Sequence, residues 1–132
     1  MSGDFAILSL EKRLSNAEAG ELYGALCEGE SAGVVPSPAI DAFYSELTAR
    51  HPEIDDIDEE EIDNLDLCPW SIAFDRSPGH LIICCVWPKA SYVEALLTKL
   101  AGKHGLALYD PQKEAILYPN GSDGKKPWWK LW

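Results

Sequence analysis

The sequence predicts an α+β fold, a two-layer ferredoxin-like sandwich in the order β-α-α-β-β-α-β-β with a mostly antiparallel sheet. Three stretches place apolar residues at helical spacing behind cap signals. Five short runs rich in branched and aromatic residues stand between turn signals. Two of these runs, on either side of a short turn segment, form a hairpin. The 132 residues fit one domain, 1–132.

Phe5–Leu10 opens the chain as a strand. Ser15 caps the first helix, with Glu18 at the capping-box position. Ala19, Leu22, Tyr23, Leu26 and Cys27 form its apolar stripe, and Gly29 stops it. Ser37-Pro38 starts the second helix, because serine caps and proline suits the first turn. Its stripe is Ile40, Phe43, Tyr44 and Leu47, and Arg50-His51-Pro52 ends it. Ser71–Asp75 alternates as a strand, with Ile72 and Phe74 on one face. Ser77-Pro78-Gly79-His80 is turn chemistry, and the continuously apolar Leu81–Trp87 reads as a strand buried on both faces. Ser91 is expected to cap the third helix with Glu94 as box partner. That helix carries Val93, Leu96, Leu97, Leu100 and His104 inward and stops at Gly105. Leu106–Tyr109 and Ala115–Tyr118 are the last strands. Asn120–Gly124 is a loop, and residues 125–132 form a segment rich in Trp and Lys.

Composition narrows the class. Apolar residues make up 46 % and charged residues 25 %, which excludes a wholly disordered or collagen-like chain. No apolar run approaches the ~20 residues of a membrane span, and no basic stretch precedes an apolar one as in a secretory signal. Net charge is −11, distributed as −14 over residues 1–66 and +3 over residues 67–132. An excess of this sign opposes nucleic acid and anionic lipid and favours a basic protein or a cation.

The charge concentrates in an acidic insert at residues 53–67. Glu53, Asp55, Asp56, Asp58, Glu59, Glu60, Glu61, Asp63 and Asp66 occur there without one basic residue. If the stretch is helical, Ile54, Ile57, Ile62 and Leu65 share one side and clamp it to the body. A calcium loop is the competing reading, but Glu61 stands where an EF-hand needs glycine. The nine acids are therefore candidate partner-binding residues, with Tyr44 and Trp70 as apolar anchors.

Other chemistry is sparse. The four cysteines form no C-x-x-C pair, and strand alternation sends Cys84 and Cys85 to opposite faces. They read as core-filling thiols of a reducing, cytoplasmic compartment, with no metal and no cofactor expected. His51 and His104 suit helix C-termini. The sequence contains no nucleophile elbow, phosphate loop or dinucleotide fingerprint, and an enzyme is not expected. A small-molecule or metal-binding domain and an assembly subunit remain alternative classes.

Cys68-Pro69-Trp70 ahead of a hairpin, then Leu100–Leu106 running into Tyr109-Asp110-Pro111-Gln112, resembles small bacterial proteins of the polymorphic-toxin immunity type. The resemblance covers roughly residues 68–118. It implies a cytosolic, non-enzymatic inhibitor that binds its toxin and occludes the active site. The acidic insert lies outside the matching part.

Overall fold

The computed structural model describes residues 2–30, 33–61 and 63–118. It is an α+β structure of three helices and a five-stranded, open, wholly antiparallel sheet. The strands are β1 (Ser2–Leu8), β2 (Asp75–Ser77), β3 (His80–Val86), β4 (Ala107–Asp110) and β5 (Ala115–Leu117). The helices are α1 (Asn16–Cys27), α2 (Pro38–Arg50) and α3 (Ala90–His104). The sheet order is β2-β3-β1-β4-β5, so the first strand in the chain is the middle one in space. β1 begins earlier than the apolar run suggests, because Gly3 and Asp4 pair with Cys85 and Cys84.

The helices divide between the two faces of the sheet, which corrects the two-layer expectation. Phe5 and Ile7 of β1 and Leu81, Ile83 and Cys85 of β3 face α2 and α3 in the larger core. Ala6, Leu8, Ile82, Ala107, Tyr109 and Ile116 face the other way, onto Ala19 and Leu26 of α1. Period-two alternation thus feeds two cores from the same strands. β3 is buried on both faces, and Cys84 and Cys85 point to opposite sides as the alternation requires. Burial pushes the Cys84 thiol up to about 12 and the Cys85 thiol to about 11, so both stay protonated at neutral pH.

Local signals account for most boundaries. Ser15 Oγ accepts from Glu18 N (3.1 Å) and Glu18 Oε1 accepts from Ser15 N (2.9 Å), a complete capping box. Ser37 Oγ accepts from Ala39 N (3.1 Å) ahead of α2. Gly105 closes α3 at φ 70°, the left-handed conformation that costs glycine least. The start of α3 differs from expectation. A 3-10 turn at Trp87–Lys89 leads directly into the helix, so Ser91 lies inside the first turn and no side chain caps it. Glu94 accepts instead from Lys113 Nζ (2.6 Å). Glu46 joins α2 to α3, accepting from Lys103 Nζ and His104 Nε2 at 2.9 Å each.

The second strand is also displaced. Ser71–Asp75 does not pair as a strand, Ile72 is 58 % exposed, and β2 starts only at Asp75. Phe74 N is drawn away by the Glu53 carboxylate, so it is not free for a ladder bond. The β2–β3 turn is Pro78-Gly79, packed against the segment before α2. A Cβ on Gly79 would lie 2.7 Å from the Val35 carbonyl oxygen. Gly79→Ala is therefore expected to cost roughly 1–3 kcal/mol by overpacking, read as a lower denaturation midpoint with unchanged slope.

Candidate functional site

Residues 53–67 do not form an α-helix. Ile54–Asp56 and Glu59–Glu61 are single 3-10 turns. Carboxylates three and four residues apart repel one another on a helix, and no basic residue intervenes to relieve them. Ile54 and Ile57 still pack on the core, but Leu65 is 36 % exposed, and Ile62 lies outside the described residues. Among the described residues, the expected clamp is thus formed by Ile54 and Ile57 at one end.

Polar contacts pin both ends of this loop. At its start Glu53 Oε1 accepts from Phe74 N (2.9 Å), and Glu53 Oε2 accepts from the Tyr44 hydroxyl. The Arg76 guanidinium lies 3.8 Å above the Tyr44 ring. At its end Cys68 N donates to Asn64 O (2.9 Å), and Asp66 pairs with Lys89. Lys89 holds the Asp66 carboxyl below the usual range.

His51 ties the return of the loop to both helices of that face. It is 5 % exposed, so helix-end electrostatics is not the whole reason for its place. Its Nδ1 lies 2.9 Å from Leu67 O, and a carbonyl only accepts, so Nδ1 carries the proton. In the neutral ring Nε2 then accepts from the Tyr92 hydroxyl at 2.8 Å. The His51 carbonyl accepts from Trp70 Nε1 (3.0 Å). The Trp70 ring stands edge-on to His51 and to Phe74, with centroids 6.0 and 4.9 Å away.

These contacts reassign the two expected anchors. Trp70 is 2 % exposed and Tyr44 is half-buried beneath Arg76, so both hold the loop from inside and neither presents a free ring to a partner. Among the described residues the exposed large apolar side chains are Leu65, Ile72, Trp87 and Tyr92. Of these, Tyr92 stands on the first turn of α3 and touches His51. Trp87 had a readable signal, since it ends the apolar run just before Pro88. Tyr92 had none, because it fits the helical pattern as an ordinary surface residue.

The nine acids fall into two groups. Glu53 and Asp66 are committed to the pins, and Glu61 accepts from Asn64 Nδ2 (3.3 Å). Asp55, Asp56, Asp58, Glu59, Glu60 and Asp63 are exposed and make no ion pair among the described residues. Six carboxylates therefore stand together on a loop whose backbone is fixed at either end.

The remaining titratable residues form no second centre. Among the described residues no group of three or more His, Cys, Asp or Glu could hold a metal. His80 Nδ1 bonds Ser77 Oγ, and its Nε2 is 3.9 Å from Asp75. Ser77 Oγ also accepts from Gly79 N (3.2 Å) and His80 is 4 % exposed, so this constellation closes the hairpin turn. No helix among the described residues is long and apolar enough to cross a membrane. The Trp- and Lys-rich residues 125–132 lie outside the described residues.

Tyr44 offers a direct probe of the first pin. Accepting by the Glu53 carboxylate favours the protonated phenol, and with burial it raises the Tyr44 pKa to about 12. A raised pKa means that the stabilisation is complete below about pH 10, the unfolded value, and is lost as pH rises through about 12. In Glu53→Gln the tyrosinate band at 295 nm is expected to appear at lower pH than in wild type. Coincident titrations would show that Glu53 does not hold the hydroxyl.

Comparison of the chain with models of protein families, with curated proteins and with solved structures finds no match.

Proposed function

We propose that this protein is a cytoplasmic, non-enzymatic inhibitor of the immunity type, which binds a basic bacterial toxin and occludes its active site. The observation that carries the reading is the set of six exposed carboxylates, without an ion pair among the described residues, on a loop pinned at both ends. Pinning lowers the entropy lost on binding, and concentrated negative charge steers a basic partner inward. Such a surface also resembles the phosphate backbone in sign and density, so a nucleic-acid-directed toxin is a fitting target. Exposed Tyr92 and Leu65 flank the return of the loop and supply apolar contact that charge alone does not provide. On this reading the order β4-β1-β3-β2 is the ferredoxin-like arrangement, with β5 added at one edge and α1 added on the far face.

The test is capture from lysate of the source organism with the toxin expressed, using wild type beside Asp55→Asn/Asp56→Asn/Glu59→Gln/Glu60→Gln. A basic protein held by wild type at low salt, released at high salt and not held by the variant is the expected result. Equal retention by the variant would overturn the assignment of the loop.

A further inference from the structure

A pocket of about 490 Å³ opens on the α1 face of the sheet, between the start of α1 and the β4–β5 turn. Asn16, Ala17, Gly20 and Glu21 line it from the helix, Tyr109 from β4, and Glu114 from the position just before β5. Its size falls within the roughly 300–1,000 Å³ of pockets that take small molecules. Ile54 and Ile57 of the acidic loop pack on the opposite face, so the two features are separate.

The polar groups of this pocket are unmatched. Tyr109 is 3 % exposed, and its ring packs 5.5 Å from that of Tyr23. Its hydroxyl reaches the pocket wall at Gly20, where an added Cβ would lie 3.1 Å from the phenol oxygen. That hydroxyl makes no hydrogen bond among the described residues. A buried phenol oxygen normally has a partner, and what this one faces is the pocket. Burial and the charges of Glu114 and Asp110 raise its pKa, so it stays protonated at neutral pH. Glu21 and Glu114 form no ion pair among the described residues, and no basic side chain is among those that line the pocket. Lys113, next to Glu114 in sequence, is engaged with Glu94 and Asp110. The positive end of α1 is met by Glu18 in the capping box.

Two carboxylates and a phenol oxygen select a cation. A metal ion is poorly served, because no group of three or more His, Cys, Asp or Glu among the described residues could hold one. An alkylammonium needs only one acceptor for each of its N–H groups. Two carboxylates match two such charges, and Ala17, Gly20 and the Tyr109 ring give methylenes an apolar wall between them.

We propose that this pocket binds a linear aliphatic diamine, whose ammonium groups pair with Glu21 and Glu114 while the Tyr109 hydroxyl oxygen accepts an N–H from one of them. The ligand then relieves the repulsion between the two carboxylates and ties α1 to the β4–β5 hairpin. This inference is independent of the toxin-binding reading, which concerns the acidic loop.

Isothermal titration of the full-length protein with putrescine at low ionic strength tests it, with butylamine beside it. Saturable binding is expected, at least about tenfold tighter than that of butylamine, because the monoamine meets only one carboxylate. Glu21→Gln/Glu114→Gln is expected to weaken putrescine binding by at least about tenfold, and both positions are exposed, so the fold is kept. Tyr109→Phe removes only the hydroxyl, and should weaken binding severalfold while the melting temperature stays equal or rises. Asp55→Asn/Asp56→Asn/Glu59→Gln/Glu60→Gln should bind as wild type, which separates the pocket from general attraction to an acidic protein. Three results would each overturn the proposal: putrescine bound no more tightly than butylamine, equal binding by Glu21→Gln/Glu114→Gln, or binding lost in the loop variant.

Discussion

Trp70→Ala is expected to cost roughly 3–5 kcal/mol of stability, lowering the melting temperature by roughly 12–20 °C for a chain of this length. The substitution empties a site that is 2 % exposed, and it removes the edge-on contacts to His51 and Phe74. It also leaves the His51 carbonyl without its indole donor. Trp70→Phe keeps most of the ring and removes only that bond, so it should cost about 1 kcal/mol from the lost bond, plus a smaller packing loss. Thermal and denaturant melts of both variants separate packing from hydrogen bonding. A loss under 1 kcal/mol in Trp70→Ala would mean that the loop is held by its other contacts, Glu53, Asn64 and the Asp66–Lys89 pair.

The second large effect concerns rate. Neutralising Asp55, Asp56, Glu59 and Glu60 is expected to slow association with the captured basic partner by at least about tenfold at low ionic strength. Dissociation should change much less, because charges at the border of an interface act chiefly on encounter. Raising salt should bring the two association rates together, since the screening length falls from about 10 Å at 0.1 M to about 3 Å at 1 M. These four side chains make no ion pair among the described residues, so their neutralisation relieves repulsion and leaves the melting temperature equal or higher. Stopped-flow association at three salt concentrations decides the matter. An unchanged association rate with faster dissociation would show that the loop makes close contacts and does not steer.

Which parts of this structure could be read from the chain follows from how local their causes are. The caps at Ser15 and Ser37 act within three residues, and the structure has them where the sequence places them. The apolar run at Leu81–Trp87 also needs only its own composition to declare a strand buried on both faces, although the strand ends at Val86 and Trp87, 49 % exposed, falls in the turn that follows. The Ser91 signal is equally local, but Trp87-Pro88-Lys89 turns first and carries the chain into the helix before serine is reached. The side of the sheet on which α1 packs was not legible, because an apolar stripe says that a helix is covered without saying by which face. Nor was the burial of Trp70, which depends on the carbonyl of a residue 19 positions earlier and on a ring four positions later. In the acidic loop the isoleucine spacing is compatible with a helix, and like-charge repulsion acting over the whole segment decides against it.

The position of β1 has a consequence for how the chain acquires its structure. Synthesis delivers this strand first, yet Ala6 finds one neighbour at Ile82 and the other at Tyr109. A nascent chain therefore carries its future midline without a neighbour until β3 has been made, and with one side still open until β4 follows. Every ladder that includes it closes a long loop, so the search is dominated by distant encounters and is slow for a chain of this size. During that interval the exposed strand Phe5–Leu8 is the segment most open to pairing with another molecule. Among the described residues, by contrast, the finished sheet has as its edges the three-residue strands β2 and β5.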